Sequence, residues 1–145
     1  MPRSKIFLPD VNVWLALASR RHVHHEAAVG WLDTTGDGET SFCRVTQMGL
    51  LRLLTNRHAM GVDVLDMAEA WRVYHRMTAD SRIQFLAEPA GIQQAWERLT
   101  QRAPAATRLW TDTYLQAFAG LKDLRVVSFD KDFRRFPEPP ALILT

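Results

Sequence analysis

Short, largely apolar runs alternate along the chain with longer stretches in which apolar residues recur every three or four positions. The runs Ile6–Leu8, Ser41–Cys43, Ile83–Leu86, Arg125–Phe129 and Leu142–Leu144 predict five short strands. Val13–Ala18 continues the first of them as an apolar helix. Val64–Thr78 carries the clearest helical period, with Val64, Met67, Ala68, Trp71, Tyr74 and Thr78 on one expected face. A further helix through "WTDTYLQAFAG" places Trp110, Tyr114, Ala117, Phe118 and Leu121 on a buried face, with Thr111 or a neighbour as its cap. "TTGDGE", Thr34–Glu39, and "FPEPPA", Phe136–Ala141, read as loops before the second and last strands. Strands that alternate with helices predict an α/β domain, its mainly parallel sheet flanked by helices on both faces.

That pattern gives meaning to three carboxylates. Ligands of open α/β sheets bind beyond the carboxyl ends of the strands, where loops and helix starts converge. Asp10 stands at such an end, between the strand at Ile6–Leu8 and the helix that follows, and Asp130 closes the run "RVVSF". Asp112 falls in the first turn expected for its helix. Each could serve only as a cap, a dipole-favoured first-turn acid or a turn initiator. Capping does not require all three at comparable places. Like charges brought together raise one another's pKa or call for a cation, and hard oxygen donors select Mg²⁺ or Mn²⁺.

Composition limits what surrounds them. With 145 residues, 47% hydrophobic and 23% charged, the chain suits a single domain over residues 1–145. One cysteine, Cys43, excludes an internal disulfide, and nothing after Met1 resembles a secretory start. A cytoplasmic location follows as the expectation, and no apolar run is long enough to cross a bilayer. The net charge of +2 permits a polyanionic partner without requiring one, so local clusters such as Arg20-Arg21 and Arg134-Arg135 matter more. Arg44, Arg52 and Arg57 suit a solvated face or a nucleic-acid contact. His22, His24 and His25 resemble a metal cluster, but zinc sites need further ligands at defined spacing, so packing, capping or RNA contact is the expectation. The five tryptophans all lie in helical patterns and are expected in the core or a dimer interface.

The blocks "LPDVNVWLALA", "WTDTYLQAFA" and "VVSFDKDF", in this order and spacing, resemble the best-marked blocks of PIN-domain ribonucleases, specifically the VapC-type toxins of bacterial toxin–antitoxin modules. "HVHHEAAVGWL" and "FCRVTQMGLLRLLT" look like a common branch of the same toxins. The resemblance implies an α/β PIN-like fold, Mg²⁺- or Mn²⁺-dependent endonuclease action on RNA and inhibition by a VapB-like antitoxin. Asp10, Asp112 and Asp130 match the first, third and fourth family acids and the metal-holding role, and Asn12 matches the polar residue two places after the first. The second acid, a glutamate, is missing: Gly49 stands at its position, with Thr46 and Gln47 as candidate substitutes. Asp132 competes with Asp130 for the fourth place. The many large apolar side chains in a chain this small point to a homodimer. Two rivals remain open. One is a phosphohydrolase with Asp10 as covalent nucleophile, although Asn12 stands where haloacid-dehalogenase-like enzymes place a second aspartate. The other is a PIN-like module that binds RNA or a partner without cutting.

Overall fold

The computed structural model describes residues 6–145. The first five residues, at the start of the expected domain and of the stretch read for a secretory signal, lie outside it. The strands are β1 (Phe7–Pro9), β2 (Thr40–Phe42), β3 (Ile83–Phe85), β4 (Arg125–Ser128) and β5 (Leu142–Ile143). The helices are α1 (Val11–Ala18), α2 (His25–Leu32), α3 (Arg44–Leu54), α4 (Arg57–Met60), α5 (Met67–Thr78), α6 (Ile92–Thr100) and α7 (Leu109–Lys122). Every strand falls within a residue or two of its expected limits. The sheet is parallel throughout, in the order β3-β2-β1-β4-β5.

Why such short strands hold is plain from their two faces. Val126 packs into one apolar cluster and Val127 into the other, as successive side chains on a strand must. The first cluster lies under α7 and takes in Leu115, Phe118, Leu124 and Phe133. The second lies under α1, α3 and α5 and centres on Trp14, whose ring stacks on Phe42 with centroids 3.6 Å apart. A sheet covered on both sides favours near-continuous apolar strands, as in β1 and the two valines of β4, whereas β2 buries Thr40 and Ser41 beside Phe42.

Two helical faces differ from expectation. α5 begins at Met67, because Asp66 accepts from Glu69 N at 2.8 Å while Glu69 Oε1 accepts from Asp66 N at 3.1 Å. Its buried line runs through Ala70 and Tyr74, with Val73 and Met77 partly covered. Met67 and Trp71, expected inside, are 74% and 45% exposed. In α7 the cap position is Arg108 rather than Thr111, and the seven residues Thr113–Ala119 are all buried. A helix enclosed nearly all round shows no single face in its sequence. Its ends emerge, leaving Trp110 and Leu121 exposed. Of the five tryptophans, Trp14 and Trp31 are core, Trp96 packs against the first cluster, and Trp71 and Trp110 are on the surface.

Candidate active site

Strand order places the site. The chain builds β1, β2 and β3 outward in one direction, then crosses back to lay β4 on the other side of β1. The switch point lies between the carboxyl ends of β1 and β4, where open α/β sheets bind ligands. Asp10 follows β1, and Ser128 and Asp130 close β4. α7 precedes β4 and returns along the sheet, so its N-terminal turn, with Asp112, stands at the same edge.

Asp10 caps α1. Its Oδ1 accepts from Val11 N at 2.7 Å, and its own N–H donates to Val127 O at 2.8 Å, which ties the cap to β4. Its Oδ2 accepts from the Ser128 hydroxyl at 3.0 Å. That hydroxyl is a junction, for it also accepts from Asn12 Nδ2 at 3.1 Å and from Asp130 N at 3.0 Å. One donated and two accepted bonds exhaust its capacity. Asn12 reaches further and accepts from Phe129 N at 3.3 Å. Asn12 therefore positions the end of β4, and Ser128 positions Asp10. Asp130 accepts from Asp132 N on Oδ1 at 2.9 Å and from Arg108 Nη2 on Oδ2 at 2.9 Å.

The charges of the three expected acids act on one another. Burial pushes the Asp112 carboxyl up to about 6, and the charges of Asp10 and Asp130 add to the rise against Arg108 and Arg135. Asp10 is also raised, first by burial, against the bonds from Val11 and Ser128; Asp130 pushes it further up and Arg108 opposes. Repulsion of this kind is what a bound cation relieves. Among the described residues no three His, Cys, Asp or Glu side chains close into a metal cluster. The set is open, and a hard cation that keeps most of its water needs only one or two carboxylates. The donor chemistry therefore fits Mg²⁺ or Mn²⁺.

The region of the missing glutamate is filled. A Cβ at Gly49 would stand 2.6 Å from Val11 Cγ2, so α3 packs onto α1 at a distance only glycine allows. Thr46 is locked to its own helix start, its Oγ1 accepting from Cys43 N at 3.0 Å and donating to Cys43 O at 3.1 Å. Gln47 accepts from Arg44 Nη1 at 2.5 Å. The described bonds of both substitutes thus lead away from the acids. Asp132 pairs with Arg135 at 3.5 Å, on the outer side of its turn. The histidines pack and bond locally, and none caps α2 through its side chain: His24 stacks on Phe129 with centroids 4.3 Å apart, His22 Nδ1 accepts from His24 N at 3.0 Å, and His25 Nδ1 lies 2.7 Å from Ala16 O. Ser128 and Arg108 were not singled out in the sequence. The serine two residues before Asp130, directly after two buried valines, was the available signal.

A parallel sheet in this order, with acids at its switch point, defines an α/β domain with an acidic crevice. The family model described as PIN domain matches residues 7–139, and the chain belongs to the PIN-domain family. Similar proteins include ribonuclease VapC41 of Mycobacterium tuberculosis H37Rv, 42% identical over 136 residues that cover 90% of this chain and 93% of that protein. Ribonuclease VapC44 of the same organism is 31% identical over 92% of each chain. Among solved structures, the sarcin-ricin loop cleaving toxin VapC20 of M. tuberculosis superposes with a TM-score of 0.65 at 14% identity, covering 96% of this chain and 99% of its own. A toxin–antitoxin complex from Klebsiella pneumoniae gives 0.61 at 19% identity, covering 94% and 98%. Among the described residues no helix is long and apolar enough to cross a membrane.

Proposed function

We propose that this chain is an endoribonuclease, the toxin of a toxin–antitoxin pair, and that it hydrolyses RNA phosphodiesters with Mg²⁺ or Mn²⁺. The observation that carries the reading is the convergence of Asp10, Asp112 and Asp130 at the switch point, with Asp112 pushed up to about 6. The chemistry a divalent cation supplies at such acids is neutralisation of phosphate charge and activation of water. Asp10, Asp112 and Asp130 would hold it. Ser128 fixes the Asp10 carboxylate and, with Asn12, keeps the β4 end registered against α1, which sets the spacing between acids.

The covalent phosphohydrolase is the weaker reading. An amide, Asn12, occupies the place of the second acid, and its Oδ1 accepts from Phe129 N rather than serving as an acid beside Asp10. The non-cutting module draws on the glutamate position, which Gly49 closes against Val11. A metal-titrated cleavage assay on labelled RNA with Asp10→Asn as control separates the three. Cleavage that requires Mn²⁺ and Asp10 supports the nuclease; a covalent phosphoprotein favours the second reading, and binding without cleavage the third.

The partners belong to the same proposal. A VapB-like antitoxin segment of amphipathic character suits an apolar groove between α3 and α5, lined by Met48, Leu51, Met67 and Trp71. A homodimer would cover other exposed apolar side chains of this small chain. Light scattering on the chain alone and with its antitoxin tests both.

A further inference from the structure

The acid crevice carries a cation of its own. Arg108 Nη2 donates to Asp130 Oδ2 at 2.9 Å, and Arg108 O accepts from Asp112 N at 3.3 Å, one helical turn on. Its charge also acts on both Asp10 and Asp112, where it opposes their rise, whereas Arg135 acts on Asp112. Arg108 thus stands among all three acids. Its side chain is nevertheless 80% exposed, against 19% for Asp130, so it lies over the mouth of the crevice. Exposed ion pairs hold weakly, and this one can open. Asp130 has one oxygen, Oδ1, held by the backbone N–H of Asp132; the other, Oδ2, is the one Arg108 occupies.

Resting on the metal-dependent reading above, we propose that Arg108 is the resident counterion of the crevice. It competes with the divalent cation for Asp130 and, once displaced, turns its guanidinium to a phosphate of the RNA. Two cations that claim one carboxylate oxygen must weaken each other's binding, by the same factor in each direction. A freed arginine on an exposed stem presents a planar fork of donors that matches phosphate geometry. A surface ion pair that merely steadied the start of α7 would leave the KM for RNA at saturating metal unchanged.

Calorimetric Mn²⁺ titration of the full chain tests this, with Arg108→Gln and Asp10→Asn beside the wild type. Arg108→Gln is expected to bind Mn²⁺ about three- to tenfold more tightly, since both the competitor and its like charge are gone. At saturating Mn²⁺ its KM for labelled RNA is expected to rise about fivefold or more with kcat little altered, and Arg108→Lys to recover part of that loss. Unchanged or weaker Mn²⁺ binding in Arg108→Gln, alongside binding abolished in Asp10→Asn, overturns the counterion role alone. Tighter Mn²⁺ binding with an unchanged KM overturns the phosphate role. If Asp10→Asn binds Mn²⁺ as the wild type does, the metal site itself is misplaced and the inference falls with it.

Discussion

Asp112→Asn keeps the shape of the side chain and removes its charge, so it isolates the strain of holding that carboxylate in the crevice. No described hydrogen bond offsets its burial, and the neighbouring charges of Asp10 and Asp130 add to the cost. Burial and repulsion push the carboxyl up to about 6 in the folded chain against 3.8 for the free group. At about 1.4 kcal/mol per unit the ceiling is about 3 kcal/mol. Partial solvation of the side chain screens this to roughly 1–2 kcal/mol. In a chain of this size that gain corresponds to a melting temperature about 3–6 °C higher. The sign follows from linkage: a raised acid contributes stability fully below pH 3.8 and loses it as pH rises through about 6. Variant and wild type should therefore melt together near pH 4 and separate above pH 6, the variant higher. Differential scanning calorimetry in excess chelator measures this directly. Adding Mn²⁺ should narrow or reverse the gap, because a ligand of the native state stabilises only the form that binds it. Equal melting temperatures at pH 7.5 in chelator would refute the reasoning from burial and repulsion.

Asp10→Asn and Asp130→Asn are expected to abolish Mn²⁺-dependent cleavage of labelled RNA with unaltered circular dichroism; wild-type rates in both would remove these residues from the site. Ser128→Ala takes a donor from Asp10 and an acceptor from both Asn12 and Asp130 N, and should lower cleavage by about 10- to 100-fold while the chain stays folded. Gly49→Ala should destabilise despite the better helix propensity of alanine, since overpacking costs about 1–3 kcal/mol and the new Cβ would stand 2.6 Å from Val11 Cγ2. Urea unfolding reads the sign, and Val11→Ala should recover the loss. Asp80 is held below the ordinary range by hydrogen bonds from Arg82, so its contribution is present above pH 3.8 and fades as pH falls through its lower folded value. Asp80→Asn should therefore cost about 1 kcal/mol at neutral pH, and chemical denaturation should show the two forms converging in acid.

The central strands were legible because both of their faces are covered, as in β4, where Val126 and Val127 enter opposite clusters and leave no polar alternation between them. The helical faces were less so. Met67 and Trp71 keep the period of α5 yet point outward, and only the reciprocal bonds of Asp66 and Glu69, three residues apart, mark where that helix begins. The three acids stood out because an apolar junction does not leave a carboxylate at its end without a reason, and three such junctions share an edge only in a parallel sheet. What the sequence could not carry is the wiring between them. Asn12 and Ser128 lie 116 residues apart, and a serine on a strand looks like any small polar residue until the switch point sets it beside Asp10. Gly49 shows the limit from the other side. A missing glutamate reads as an empty ligand position, to be refilled by substitution, whereas the structure uses the absent side chain to bring α3 against Val11, next to Asp10 itself. Restoring the acid would therefore push on the residue that follows the first ligand, so the lost charge and the closeness of the two helices are one feature and cannot be repaired separately.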